Sequence, residues 1–427
     1  MLKHRIANNP LPVIFFTIFV DLLGFGILIP VIPQLLANPA SEYFLLPAGW
    51  TLQQGFILLG FLTAVFSIAQ FLATPILGQL SDRYGRRKLL AISLFGTSIS
   101  YLLFAYGIMT GNLILLFFSR ALDGVTGGNI SIAQAAIADV TTPEKRARNF
   151  GLIGAAFGLG FVIGPFLGGK LSDPSVVPWF NATTPFFFAA ILSFVNVVSI
   201  IIFFPETLKI KNHNLKINWS RSVLNIYHAT LDKKLRVLFG TVFLFTAGFT
   251  FFTTFFSVFL IDKFGFTQGN IGDFFAYIGL WVAFTQAVIT GKVSAKYPAY
   301  KIIRWGILVA GIATFLFFLP EYWWQLLLIV PIFAIGNGLM QANITALISQ
   351  SADADVQGEV LGINSSVSAL AMSIPPILSG FIAASLSPSA PIFVGGTIVM
   401  LAAAFFWFFY KPLKPQQTQT GGWGGGH

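Results

Sequence analysis

Apolar runs of about twenty residues, parted by short polar connections, recur along this chain from Leu11 to Tyr410. Each is long enough to cross a ~30 Å hydrocarbon layer as an α-helix. The predicted spans are 11–36, 54–79, 89–109, 113–136, 149–172, 185–204, 235–261, 270–292, 301–319, 323–350, 357–386 and 390–410. A transmembrane β-barrel would show short alternating segments instead of these continuous runs. The expected fold is therefore an all-α polytopic membrane protein with twelve transmembrane helices.

Composition agrees with that pattern. Of the 427 residues, 56% are hydrophobic and 9% charged, against about 25% charged in soluble domains. The formal net charge is +10, which taken alone invites a nucleic-acid reading. Its distribution argues otherwise. With the N-terminus placed in the cytoplasm, Arg120, Lys170 and Lys263 are the three of 25 Lys/Arg that do not fall on the cytoplasmic side. That asymmetry is an orientation signal, and basic loops beside anionic lipid account for it without a polyanion partner. The expectation is a multi-pass protein of the cell membrane with both termini cytoplasmic and no nucleic-acid partner.

Cysteine is absent, so no disulfide framework or thiol metal site is available. His4, His213, His228 and His427 all lie outside the predicted spans, which leaves no histidine relay or metal site inside the membrane. No cofactor is expected. The first span follows Lys3 and Arg5 as a signal peptide would, but it is too long and contains Asp21, Pro30 and Pro33. It reads as a retained helix. The glycine-rich tail within 412–427 reads as disordered or as an expression remnant.

One long hydrophilic connection, 205–234, divides the chain into a bundle of six spans over 1–204 and another over 235–411. Within it Trp219, Val223, Tyr227, Leu231 and Leu235 recur every four residues, with Arg221, His228, Asp232 and Lys233 between them. The spacing fits an amphipathic helix on the cytoplasmic leaflet and equally a solvated linker. The halves also carry a weak repeat. Gly78–Leu90 aligns with Gly291–Ile303 at an offset of 213, and Pro165 with Gly169 aligns with Pro376 and Gly380 at 211. Parallel duplication of a six-helix unit is the arrangement of rocking transporters, with the substrate site between the halves. In the second copy Ala295, Pro298 and Ala299 replace an acid, a glycine and an arginine, so two non-equivalent cytoplasmic gates are expected.

Charges inside the spans need a reason, because each costs at least ~2.5–3.5 kcal/mol to insert. Asp21 lies about 15 Å into the first span, near the midplane. In the fourth span Arg120 and Asp123 lie about 10 and 15 Å deep and share one helix face. One cation facing two carboxylates leaves a surplus negative charge if all are ionised. That suits an acid that takes a proton from one side and gives it to the other. A buried pair that only fixes helix packing is the alternative for Arg120 and Asp123.

Four motifs carry a resemblance. The basic turn Gly78-Gln-Leu-Ser-Asp82-Arg83-Tyr-Gly85-Arg86-Arg87-Lys88 resembles the signature loop between the second and third helices of the major facilitator superfamily. In the fifth span Gly160, Gly164, Pro165, Gly168 and Gly169 combine small-xxx-small spacing with a proline, and resemble the antiporter motif of its twelve-span drug/proton antiporters. The stretch Asp21–Pro33 is similar to the first helix of the tetracycline/proton antiporters, and Leu116–Gly124 to the family's fourth-helix arginine motif. The resemblance is dense in the N-terminal half and thinner beyond, where Gly279 and Gln286 fit it.

The resemblance implies two pseudo-symmetric six-helix bundles. It implies that Asp21 and Arg120 take part in proton coupling, and that Asp82, Arg83 and Arg86 form a cytoplasmic gate with the acid meeting the start of the eleventh helix near Gly358. It also implies that Gly164 and Pro165 shape a bend limiting proton leak. Asp123 departs from the family's usual small residue, as a second proton site or as the neutraliser of Arg120.

Candidate cavity residues are the polar ones within spans: Gln70, Asn129, Gln134, Asn196, Gln286, Asn337, Gln341, Asn343 and Asn364. Each could instead be an interhelical hydrogen bond. The 48 Phe residues include Phe249, Phe251, Phe252, Phe255 and Phe256 in the seventh span. Rings lining a cavity would favour an apolar or aromatic cargo. A P-loop is missing, which argues against ATP as the driving force. The expectation is a monomeric secondary transporter, not an enzyme, exporting an amphiphilic organic compound such as a tetracycline-like drug in exchange for protons. The alternative on the same fold is lipid or glycolipid translocation, or proton-coupled metabolite symport.

Overall fold

The structure, a computed structural model, describes residues 10–141, 146–211, 217–231, 235–351 and 357–412. His4, His213, His427, Asp232, Lys233 and the glycine-rich tail lie outside the described residues. Among those described, eleven helices are long and apolar enough to cross a membrane. The segment Gly158–Leu171, within the helix Arg146–Leu171, adds a shorter apolar one. Together they form the twelve-span, all-helical architecture.

Short polar signals set the helix ends. Thr51 and Thr267 open the second and eighth spans (Leu52–Tyr84 and Gln268–Lys296) with reciprocal caps to Gln54 and Asn270. Asn112 caps the fourth span (Leu113–Asp139) by accepting from Leu115 N at 3.1 Å. Gly111 and Gly265, both left-handed, end the third and seventh spans, Arg86–Thr110 and Arg236–Phe264.

Three spans are less regular than their hydropathy suggests. The fourth is interrupted at Gly127 and Gly128. The eighth passes through a π-helical stretch, Thr285–Thr290. The eleventh breaks at Ile374, ahead of Pro375 and Pro376, because proline cannot donate to the preceding turn. The basic connection is also shorter than the predicted loop. Helix continues through Tyr84 and resumes at Arg86, so the reversal rests on Gly85 alone, at φ 105°.

The two halves meet most closely at the face opposite the basic turn, the far face. There Gly169 of the fifth span crosses Gly272 of the eighth, and Gly60 of the second crosses Gly380 of the eleventh. A Cβ on Gly169 would lie 2.9 Å from Gly272 Cα, and one on Gly60 3.2 Å from Gly380 Cα. The aromatic pairs Phe56–Phe255, Phe61–Phe381 and Phe161–Phe275 also join the halves, with centroids 6.0–6.2 Å apart. Phe255, Val258 and Ala383 of the second half are buried in one cluster with Leu23, Ile27 and Leu59 of the first. The halves are thus closed against one another at the far face. Gly158, Gly291 and Gly362 have no described atom of another element within 4 Å of where a Cβ would stand.

Candidate functional site

Asp21 sits ten residues into the first span (Leu11–Leu36), and both its carboxyl oxygens are buried without a hydrogen bond. The amide of Asn129, first residue after the break in the fourth span, lies beside it. Neither polar atom of Asn129 finds a hydrogen-bonding partner of normal geometry. Asp123 is within electrostatic reach of Asp21 and is itself paired: Arg120 Nη1 donates to its Oδ2 at 2.6 Å, both side chains buried. The guanidinium also lies 4.3 Å over the ring of Phe66, and its Nε has no partner. Ser100 approaches Asp123 from the third span. Tyr101 brings its hydroxyl against Gly24, where a Cβ would collide with it.

This cluster depends on the interrupted fourth span. The helix is interrupted at Gly127 and Gly128, both in right-handed helical backbone (φ −66° and −65°), and Arg120, Asp123 and Asn129 on its two parts gather at one centre. Gly124 packs on the backbone of Phe66 and Gly128 on that of Thr74. Gln70 Nε2 donates to Gly127 O at 3.0 Å, and Ser131 Oγ to Thr74 O at 3.0 Å. Gln70 therefore braces the break.

The fifth-span motif positions the same acid from behind. Gly160 rests on Leu22, Gly164 on Gly26, and Gly168 on Ile27. A Cβ on Gly164 would sit 2.8 Å from Gly26 Cα, and one on Gly26 2.8 Å from Pro165 Cδ. Side chains there would push the first span outward and carry Asp21 with it. Gly169 faces the other way, onto Gly272.

At the basic face Arg86 is buried between two acids, Asp82 at 2.6 Å and Asp139 at 3.1 Å, and it also donates to Ser81 Oγ. Arg87 donates to the carbonyl of Ile201, while Arg83 stacks over Tyr84. Three cations in the first turn of the third span oppose its dipole. Glu206 offsets them, accepting from Arg86 N at 2.9 Å. A Cβ on Gly85 would strike the Glu206 carboxylate. Gly78 comes only to Ser131, at an ordinary contact of 3.7 Å. The described partner of Asp82 is thus Arg86 within the turn; Gly358 stands in the first turn of the eleventh span. Asp139 and Glu206 complete the network, and their distance in sequence from the turn hid both.

The remaining polar candidates divide. Asn337 and Asn343 donate to carbonyls of their own helix, both at 2.8 Å, and Asn343 Oδ1 also accepts from Ser294. Asn196 Oδ1 accepts from Thr17 at 3.2 Å. Gln134 is half-buried. Gln286, on the π-helical stretch, and Gln341 are exposed, and Asn364 Oδ1 is buried without a partner. Four of the five seventh-span phenylalanines, Phe251, Phe252, Phe255 and Phe256, are buried packing groups. Phe25 is different: it is exposed one turn beyond Asp21 and touches Phe66 at 5.9 Å.

Comparison with known proteins agrees with the all-helical, many-span fold. The family model described as Major Facilitator Superfamily matches residues 14–376, and again 238–426. The chain is 30% identical over 379 residues to the class H tetracycline resistance protein of Pasteurella multocida, covering 88% of this chain and 89% of that one. It is 28% identical over 372 residues to multidrug resistance protein 2 of Bacillus subtilis (strain 168), covering 86% of each. Its fold matches that of the human organic anion transporter MFSD10 (TETRAN) with a TM-score of 0.70 at 22% identity, over 94% of this chain and 99% of that one. The chain belongs to the Major Facilitator Superfamily of membrane transporters.

Proposed function

We propose that this transporter is a proton-coupled antiporter that exports an amphiphilic organic compound by alternating access. The observation that carries the reading is Asp21: a carboxyl at mid-span, both oxygens buried and without a hydrogen bond of normal geometry, beside the amide of Asn129 and the Arg120–Asp123 pair. A buried charge without partners costs several kcal/mol, a penalty that binding a proton removes. With the far face closed, Asp21 carries a proton. Cargo arriving near Phe25 accompanies the loss of that proton, and the exchange is completed when the halves tilt. Arg120, held by Asp123, supplies the positive field that receives the newly ionised carboxylate. The resistance proteins named above are similar over nearly the whole chain, which supports a drug-like cargo. The basic face is taken as cytoplasmic, from the charge asymmetry of the connections. The protein is proposed to act as a monomer in the cell membrane.

The test is transport in proteoliposomes carrying a pH gradient. Adding a tetracycline-class or other amphiphilic cargo should drive proton movement opposite to cargo movement in the parent protein. Asp21→Asn should abolish that exchange. Cargo and protons moving together, or undiminished exchange in Asp21→Asn, would overturn the reading.

A further inference from the structure

The connection between the halves contains a helix, Arg221–Leu231, with two different edges. One edge is tied to the protein at both ends. Asn218, just before the helix, exchanges two hydrogen bonds with Gln79 of the second span: its N–H donates to Oε1 at 2.7 Å, and its carbonyl accepts from Nε2 at 3.2 Å. Asn225 Nδ2 donates to Ser366 Oγ of the eleventh span at 3.0 Å. Ala229 is buried with Leu235 and Leu238 in the core of the second half. The helix therefore straps one half to the other.

Its other edge is apolar and uncovered. Trp219, Val223, Tyr227 and Leu231 are 72%, 60%, 58% and 57% exposed at four-residue spacing. Leu235, which continues the spacing in sequence, turns into the core instead. The strap lies at the level where spans leave the hydrocarbon. Gln79 is five residues, about 7 Å, inside the end of the second span. Arg236 starts the seventh span soon after Leu231. Tryptophan and tyrosine favour that depth. Arg221 on the strap, and Lys209 and Lys211 in the connection that precedes it in sequence, are exposed, a charge set complementary to anionic headgroups. A single edge of four side chains is small beside the ~800 Å² per partner of a stable protein interface.

We propose that this edge docks into the leaflet at the basic face by binding anionic lipid. Because the docked helix is bonded to both halves, leaflet charge then biases how far the halves part. The inference does not rest on the cargo or on the direction of proton movement.

The chain has no cysteine, so single labels need no background removal. Val223→Cys and Tyr227→Cys would carry an environment-sensitive fluorophore in nanodiscs of phosphatidylcholine with or without phosphatidylglycerol. Ser175→Cys, in an exposed far-face connection, is the control. Docking predicts that both helix labels are quenched by bromine on the lipid chains and shielded from aqueous iodide. It also predicts that phosphatidylglycerol strengthens both effects and high salt weakens that gain. Iodide quenching equal to that of the control in both lipids would overturn the proposal. So would shielding from both quenchers together with a doubled particle size, which would mean a second copy covers the edge.

The coupling is read by spin labels on Lys88→Cys and Lys301→Cys, at the starts of the third and ninth spans. Phosphatidylglycerol should shift their distance distribution in the parent and shift it several-fold less in Asn225→Ala, with lipid quenching at position 223 retained. Ser366→Ala, which removes the same bond from the other side, should repeat that result. An unshifted parent, or an equal shift in both variants, would overturn the coupling.

Discussion

Gly169 and Gly272 cross so closely that a Cβ on either would lie about 3 Å from the other's Cα, and they belong to opposite halves of the protein. The same crossing is repeated on the other side of the molecule by Gly380 and Gly60. The sequence repeat aligns Gly169 with Gly380 at an offset of 211. Even the flanking carbonyls correspond: Pro165 O meets Gly272, and Pro376 O meets Gly60. The two halves thus carry a matched glycine seal on each flank of the far face. Gly272→Val should open that face. Overpacking of this kind costs about 1–3 kcal/mol, and each 1.4 kcal/mol shifts the population about tenfold. Distances between spin labels across the far face check it, and an unchanged distribution would show that the seal tolerates bulk.

Close to that crossing, Lys170 Nζ lies 2.8 Å from Asp273, joining the same two spans. Both side chains are substantially exposed, so the pair contributes about 1 kcal/mol at most. Lys170→Glu should lower the far-face-closed population by up to about five-fold, and Lys170→Glu with Asp273→Lys should restore it. Failure of the double exchange to restore closure would remove the ion pair from the latch.

The two buried aspartates should respond in opposite ways to neutralisation. Asp123 is the counter-ion of a buried arginine. Asp123→Asn strands that charge and should cost on the order of 3 kcal/mol, read as a large drop in thermal unfolding midpoint in detergent. Asp21 has no described ion-pair partner to lose, only the amide of Asn129 beside it. Asp21→Asn should leave the midpoint unchanged or raise it while exchange is abolished. A comparable loss of stability in both would mean that Asp21, too, is mainly a packing element.

Glu206 caps the third span against its own basic first turn. Glu206→Ala should destabilise the protein by about 1 kcal/mol, the usual worth of a lost helix cap. Glu206→Gln, which keeps an acceptor, should recover part of that. If Ala and Gln behave alike, the contribution is charge rather than the hydrogen bond to Arg86.

Much of this protein could be read from the linear order of residues. Span positions follow from local hydrophobicity, because a helix satisfies its backbone within about twenty residues whatever lies beside it. Asp21, Arg120 and Asp123 stood out because a charge in such a run is expensive anywhere along it. What spans do to one another was not legible. Gly127 and Gly128 look like any small residues until Gln70 and Thr74 pack on them. Asp139 and Glu206 read as ordinary loop-edge acids, since nothing nearby in sequence says that both converge on Arg86. Nor could spacing tell the linking helix's covered edge from its bare one. Hydropathy is a property of a segment, whereas a crossing, an ion pair or a cap needs two segments brought together. That information resides in the packing of the halves.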